Sequence, residues 1–141
     1  MDVLVDTSVW SLALRRRRRQ LSPSQTQVHR EWSDLVQEGR AAIIGPVRQE
    51  LLSGIQDEAA FERLRDRLRA FDDLFLTTDD YEEAARFNNR CRASGVAGSA
   101  VDLLICAAAA WRNLPIFTVD ADFRRYAGIL PVKLHEPRGE G

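Results

Sequence analysis

Two kinds of apolar segment alternate along this chain of 141 residues, and the alternation limits the fold more than any other feature. Short runs of the strand type occur at residues 3–5, 41–44, 74–76, 116–117 and 130–134. The segments between them carry apolar residues at the spacing of an amphipathic helix. Strands that alternate with helices predict a parallel sheet with helices on both faces. We therefore predict an α/β fold with a central parallel sheet.

The chain has the size and composition of a single globular domain. It is long enough to bury a substantial core, and its hydrophobic content of 45% and charged content of 29% are ordinary for such a protein. We place the domain at residues 1–135 and a frayed C-terminal tail at residues 136–141. The sequence contains no signal-peptide pattern and no apolar stretch of membrane-spanning length. We expect a cytoplasmic protein without membrane association.

Carboxylates recur where an apolar segment ends or where apolar residues surround them. Asp6 follows the first strand, and Asp120 follows the run at residues 116–117. The carboxyl ends of parallel strands meet at one edge of a sheet, where open α/β sheets bind their ligands. Glu50 and Asp102 lie in predicted helices among apolar neighbours, so we expect both to be partly buried. With no Cys or His beside them, these four acids predict a site for a hard cation.

Each of these acids also has an ordinary structural interpretation. Asp6 and Asp120 can cap the helices that follow them, and Ser99 with Asp102 has the spacing of a capping box. Glu50 can be a solvated charge on a helix. The four together favour Mg²⁺ or Mn²⁺, because burying a carboxylate without compensation is costly. Such ions activate water and offset the charge of a phosphodiester during in-line displacement.

Four segments in a fixed order carry a resemblance to a known family. They are D-T-S after the first strand, then R-Q-E-L-L-S-G, A-V-D-L-L-I-C-A-A-A and F-T-V-D-A-D-F. The chain resembles the PIN-domain nucleases over residues 2 to about 134, and it looks most like the VapC toxins of bacterial toxin–antitoxin pairs. The resemblance implies a PIN fold, Mg²⁺- or Mn²⁺-dependent endoribonuclease activity and a homodimer. It also implies inhibition by a VapB-type antitoxin, whose C-terminal segment wraps the toxin and approaches the acidic site, in a larger toxin–antitoxin complex.

The same resemblance assigns roles to individual residues of this chain. Asp122 matches the second acid of T-x-D-x-D-F and is a further candidate metal ligand, although a helix starting near Asp120 would also let it point to solvent. The hydroxyls of Ser8 and Thr118 are expected to orient a ligand or a water beside the ion. The metal-binding and catalytic acids are expected to be Asp6, Glu50, Asp102 and Asp120.

Five consecutive arginines follow the first predicted helix. Arginine is a permanently charged, planar donor that suits phosphate contacts, so we predict that the run contacts RNA near the acidic site. The alternative is a solvated helix end with no ligand. The run consists of Arg15, Arg16, Arg17, Arg18 and Arg19.

Two other functions share an aspartate after the first strand. A phosphatase similar to the haloacid dehalogenases needs a second Asp two residues later, where this chain has Ser8. A receiver-like phospho-signalling domain would use Asp79 as its acceptor, with Thr118 and Lys133 on later strands. It also needs an acidic pair after the first strand, which this chain lacks, and it would leave Glu50 without a role. Both are alternatives to the nuclease.

Overall fold

A four-stranded parallel sheet lies at the centre of the protein. The structure, a computed structural model, describes residues 1–139, and of residue 18 the backbone only. The strands of this part of the chain are β1 (Val3–Val5), β2 (Ala41–Ile44), β3 (Asp73–Leu74) and β4 (Ile116–Phe117), in the spatial order β3-β2-β1-β4. Each neighbouring pair is parallel. The predicted α/β class with a central parallel sheet is confirmed.

Seven α-helices flank this sheet in the described part of the chain. β1 is completely buried, as expected for a strand covered on both faces, which explains its uninterrupted apolar sequence. A capping box between Ser22 and Gln25 begins α2, and Thr77 with Asp80 forms another that begins α5. The helices are α1 (Thr7–Arg15), α2 (Pro23–Gln37), α3 (Gly45–Leu52), α4 (Glu58–Leu68), α5 (Thr78–Ala93), α6 (Ala100–Arg112) and α7 (Asp122–Ala127).

Some boundaries differ from those predicted. β3 ends at Leu74 instead of continuing to residue 76, and the carbonyl of Phe75 accepts a hydrogen bond from Arg112. Residues 130–134 do not form a full strand, since their pairing is a single parallel bridge between Leu134 and Ile116. The sequence also predicts Asp79 as the cap of α5, but Thr77 occupies that position. The apolar pattern does not contain these side-chain hydrogen bonds, so it places the boundaries only approximately.

The core continues from the sheet into α6 and the aromatic residues beside α1. The indole of Trp10 packs edge-on against Trp32 and Phe71, with ring centroids 5.7 and 4.9 Å away. The middle of α6 is buried, so the helix that carries Asp102 is anchored in the centre of the molecule. Among the described residues, no helix combines the length and the apolar character needed to cross a membrane.

The start of the tail is attached to α2. Glu31 is almost fully buried and receives hydrogen bonds from the side chains of His135, at 2.7 Å, and Arg138, at 3.0 Å. Arg138 also pairs with Glu38 at 2.9 Å. The expectation of a frayed tail is therefore wrong at Arg138, while residues 140 and 141 lie outside the described part of the chain.

Candidate metal centre

The ends of two neighbouring strands bring the predicted acids together. β1 and β4 are adjacent and parallel, so the residues that follow them emerge at the same edge of the sheet. Asp6 comes directly after β1 as the N-cap of α1, and Asp120 lies three residues after β4. Asp102 lies in the first turn of α6, and Asp122 is the first residue of α7. The sheet edge therefore collects side chains that are far apart in the sequence.

Asp102, Asp120 and Asp122 form a compact group of carboxylates. One oxygen from each lies within 4.8 Å of the others, and all three residues are partly buried. Oxygens on opposite sides of an octahedral Mg²⁺ are about 4.2 Å apart, since each Mg–O distance is about 2.1 Å. Small side-chain rotations would therefore bring these oxygens to ligand distance. The donor set, which consists of carboxylate oxygens, fits Mg²⁺ or Mn²⁺.

Asp6 lies beside this group in a nearly closed environment. It is 3% exposed, and its Oδ2 accepts hydrogen bonds from Ser8 Oγ at 2.7 Å and Thr118 Oγ1 at 2.8 Å. Burial raises the pKa of Asp6, while these hydrogen bonds act in the opposite direction. The backbone N–H of Ser8 also donates to Asp6, so the side chain caps α1 as well. The helix-cap interpretation of Asp6 and its position beside the acidic group are compatible.

The hydroxyls of Ser8 and Thr118 connect Asp6 to the segment that carries Asp120. They lie 3.3 Å from each other, and the backbone N–H of Val119 donates to Ser8 Oγ at 3.0 Å. The N–H of Asp120 donates to Thr118 Oγ1 at 3.0 Å. These bonds connect the loop that follows β1 to the loop that follows β4. The expected contact of either hydroxyl with a ligand stays a prediction.

The electrostatics of Asp102 show the effect of crowding negative charges. Burial raises its pKa, and the negative charges of Asp6 and Asp120 raise it further. Hydrogen bonds from Tyr126 and Ser99 act to lower the pKa. A bound cation would reverse the unfavourable effect of the neighbouring charges, because it would replace repulsion between carboxylates with attraction.

Tyr126 is a residue of this site that sequence reasoning missed. Its side chain is buried, and its hydroxyl donates to Asp102 Oδ2 at 2.8 Å across the gap between α7 and α6. The available signal was a tyrosine at a core position of the last predicted helix, because a buried phenol needs a hydrogen-bond partner. The sequence does not indicate which residue that partner is.

Glu50 is placed differently from the other predicted acids. It is exposed on α3, whereas its apolar neighbours Val47 and Leu51 are buried. The expectation that these neighbours bury Glu50 is wrong, because Val47 and Leu51 form the buried stripe of α3 and Glu50 lies at the solvent side of that stripe. Among the described residues, Glu50 is not part of the three-carboxylate group. Its role as a ligand stays a prediction.

The arginine run lies at the far end of α1 from Asp6. α1 has nine residues, so Arg15 at its end lies about 14 Å from Asp6 along the helix axis. The described side chains of the run are exposed, and the side chain of Arg18 lies outside the described residues. An RNA strand would have to extend beyond the acidic group to reach the run. The exposed members are Arg15, Arg16, Arg17 and Arg19.

Neither alternative function is supported by the geometry. Asp79 and Lys133 are both exposed, and Asp79 is not in the acidic group found within residues 1–139. A receiver domain would need its acceptor in that group. Ser8 is committed to hydrogen bonds with Asp6 and Val119, so it does not replace the acid that a haloacid-dehalogenase-like phosphatase requires.

Several solved structures of other proteins share this fold. Similar solved structures include FitAcB from Neisseria gonorrhoeae, which is 21% identical with a TM-score of 0.73 and covers 96% of this chain and 97% of that chain. VapBC2 from Rickettsia felis, solved with a DNA fragment from its promoter, is 17% identical with a TM-score of 0.71. The match covers 96% of this chain and 98% of that chain. VapBC-5 from Mycobacterium tuberculosis, a member of the VapBC family of toxin–antitoxin systems, is 24% identical with a TM-score of 0.65. The match covers 94% of this chain and 96% of that chain.

The family comparison covers nearly the whole chain. No curated protein matches the sequence at a significant level. The PIN domain family matches residues 3–129, a range that includes all five predicted acids. The chain therefore belongs to the PIN-domain family.

Proposed function

We propose that this protein is a Mg²⁺- or Mn²⁺-dependent endoribonuclease and the toxin of a VapBC-type toxin–antitoxin pair. The observation that carries the proposal is the convergence of Asp102, Asp120 and Asp122 within 4.8 Å, with the buried Asp6 beside them. Membership of a nuclease family supports the reaction class. Among the described residues, the group contains no Cys or His, so its chemistry is that of oxygen ligands around a hard cation.

The residues of this chain would prepare the site for hydrolysis of a phosphodiester. A divalent ion, when bound, would supply an activated water and offset the negative charge that develops at phosphorus. Asp102, Asp120 and Asp122 would hold the ion. Asp6 is fixed by two hydroxyls and one backbone N–H, so its carboxylate is preorganised at the rim of the group. We keep Glu50 in the proposed catalytic set as an exposed ligand that approaches from α3.

The antitoxin is proposed from the complexes in which similar chains occur. These are VapBC complexes, one of them bound to promoter DNA, and a toxin–antitoxin complex from Klebsiella pneumoniae, which is 21% identical with a TM-score of 0.66. We propose that a VapB-type antitoxin covers the acidic site of this chain in the bacterial cytoplasm. Co-expression with the protein of a small neighbouring reading frame, where that protein has a DNA-binding N-terminus, should relieve growth arrest and yield a copurifying complex. Arrest that persists with that protein present contradicts the pairing.

A homodimer completes the proposal. Phe75 is 83% exposed and Trp111 is 56% exposed, and they lie in adjacent segments, because Arg112 donates to the carbonyl of Phe75. Exposed aromatic side chains are typical of protein interfaces. We propose that this patch at the end of α6 contacts a second copy of the chain.

The decisive test is cleavage of labelled single-stranded RNA by purified variants. Asp102→Asn should lower the rate in Mg²⁺ or Mn²⁺ by about 100-fold or more, since stabilisation of several kcal/mol is lost. Asp6→Asn should do the same, and its helix should persist because Asn caps as well as Asp. Asp79→Asn is the matched control on an exposed helix start and should retain wild-type activity.

Three outcomes would contradict the proposal. The first is full activity in a folded Asp102→Asn variant, with folding checked by circular dichroism. The second is undiminished cleavage in EDTA, which would remove the metal from the mechanism. The third is cleavage of single-stranded DNA of the same sequence in preference to RNA, which would leave the nuclease intact but exclude the ribonuclease. Glu50→Gln, compared with Glu58→Gln on α4, tests separately whether the exposed acid contributes.

A further inference from the structure

We propose that Tyr126 is the positioning residue of this acidic site, and that its hydroxyl holds the Asp102 carboxylate in the orientation that receives a divalent cation. The proposal rests on the metal site described above and deepens it. Tyr126 is outside the set of acids and hydroxyls that the sequence motifs mark. Its hydrogen bond to Asp102 would fix α6 and α7 to each other around the ion.

The hydroxyl of Tyr126 limits the rotation of the Asp102 carboxylate about its terminal side-chain torsion, which the backbone conformation does not fix. The terminal torsion of an aspartate side chain is broad, so Asp102 has no single preferred carboxylate orientation. The backbone N–H of Asp102 donates to Ser99 Oγ, and this bond fixes the start of the helix. The 2.8 Å bond from Tyr126 engages one lone pair of Oδ2. Oδ1 is left as an oxygen for a cation.

Tyr126 is itself held in place by its surroundings. The residue is 1% exposed, and its ring packs edge-on against Phe123 at a centroid distance of 5.1 Å. On the other side lies Gly98, where a Cβ atom would come within 3.2 Å of the ring and 3.3 Å of the hydroxyl. The same Cβ would lie 2.2 Å from the end of Leu103. The chain therefore passes close to the phenol only because residue 98 is glycine, and the phenol has little room to turn away.

The hydroxyl also couples two of the acids. Asp122 and Tyr126 are four residues apart in α7, so they lie on the same face, one turn from each other. A bond from Tyr126 to Asp102 therefore sets the spacing between α7, which carries Asp122, and α6, which carries Asp102. A three-carboxylate group that must close around one ion depends on that spacing.

A purely structural role predicts a different result from a positioning role. If the hydroxyl serves only to satisfy a buried phenol, Tyr126→Phe changes the stability of the fold and leaves cation affinity unchanged. If it positions Asp102, the affinity for the metal alone also falls. Changes to groups that orient metal ligands typically cost roughly 10- to 100-fold in affinity or activity.

The experiment is a titration of the purified full chain with Mn²⁺, without RNA, by calorimetry or electron paramagnetic resonance. Tyr126→Phe should raise the Kd for Mn²⁺ by roughly 10-fold or more. Tyr81→Phe is the matched control, because Tyr81 is the other tyrosine of the chain and is 52% exposed on α5. In cleavage assays, the Mn²⁺ concentration for half-maximal rate should shift by the same factor, while KM for RNA at saturating Mn²⁺ stays at the wild-type value.

The outcomes separate this inference from the proposed function. Wild-type protein that binds no Mn²⁺ and cleaves without it overturns the metal site and the inference with it. Wild-type protein that binds Mn²⁺ while a folded Tyr126→Phe variant binds it equally well overturns only the positioning role.

Discussion

Replacing Arg112 with Met should destabilise the protein more than a comparable change at its surface. The guanidinium donates to both carboxylate oxygens of Asp80, at 2.7 and 2.9 Å, and to the carbonyls of Ala108 and Phe75. Asp80 is 1% exposed and lies in the first turn of α5, so this bond ties α5 to the end of α6. Because α6 also carries Asp102, the pair supports the frame of the acidic site.

The magnitude depends on the buried charge that the substitution leaves without its partner. Methionine can replace the aliphatic stem of Arg112, but Asp80 would remain as a buried carboxylate that, among the described residues, retains the donors of Thr77 alone. Removing one partner of a buried ion pair costs about 3–5 kcal/mol. Arg112 is 25% exposed, so water can reach the vacated position, and we expect a loss near the lower limit, about 3 kcal/mol. For a domain of this size that corresponds to a fall in Tm of about 10 °C.

The assay is chemical and thermal unfolding of the variant beside two controls. Arg86→Met removes an exposed pair with Glu83 at 3.6 Å and should change the free energy of unfolding by less than about 0.5 kcal/mol. The double variant Asp80→Asn with Arg112→Met should be more stable than Arg112→Met alone, because its buried side chain carries no charge. The buried-charge argument is refuted if Arg112→Met lowers the free energy of unfolding no more than Arg86→Met does. It is also refuted if the double variant is no more stable than Arg112→Met.

The same pair predicts a direction for the dependence on pH. The hydrogen bond from Arg112 is the largest effect that lowers the pKa of Asp80 below its usual value. The stability from this pair is therefore fully present above the pKa of Asp80 in the unfolded chain, and it is lost as the pH falls through the lower, folded value. The stability gap between wild type and Arg112→Met should accordingly be larger at pH 7 than at pH 3. An unchanged gap would contradict the assignment.

Two further predictions concern the surface. Replacing the exposed arginines of the run with Gln should weaken RNA cleavage at low salt and flatten its salt dependence, by about 0.7 in log–log slope for each phosphate that the protein no longer neutralises. The same change at exposed arginines of α4 is the control, and equal salt slopes for the two variants would remove the run from the RNA path. Trp111→Ser should convert a homodimer to a monomer in size-exclusion chromatography with light scattering, without changing the Kd for Mn²⁺. A dimer that persists would exclude the patch around Trp111 as the interface.

Local patterning in the sequence was sufficient for the fold class and for most of the acidic group. The apolar runs before Asp6 and Asp120 predict strands, and parallel strands place the residues after them at one edge of the sheet. Asp102 could be predicted because its neighbours in α6 are almost entirely apolar. Those inferences use interactions within a few residues or a general rule of sheet topology. They are less accurate where side-chain hydrogen bonds form, as at the end of β3 and the start of α5.

Only the tertiary structure decided which side chains touch. Asp6 meets Thr118 across 112 residues of sequence, and Tyr126 meets Asp102 across a gap between two helices. Glu50 has the apolar neighbours of a buried residue, yet the rotation of α3 turns it to solvent. A spacing pattern gives the period of a helix, but the direction that each face takes depends on the elements that pack against it. The acids could therefore be predicted from the sequence, whereas the hydrogen bonds that hold and orient them depend on the packing of the whole chain.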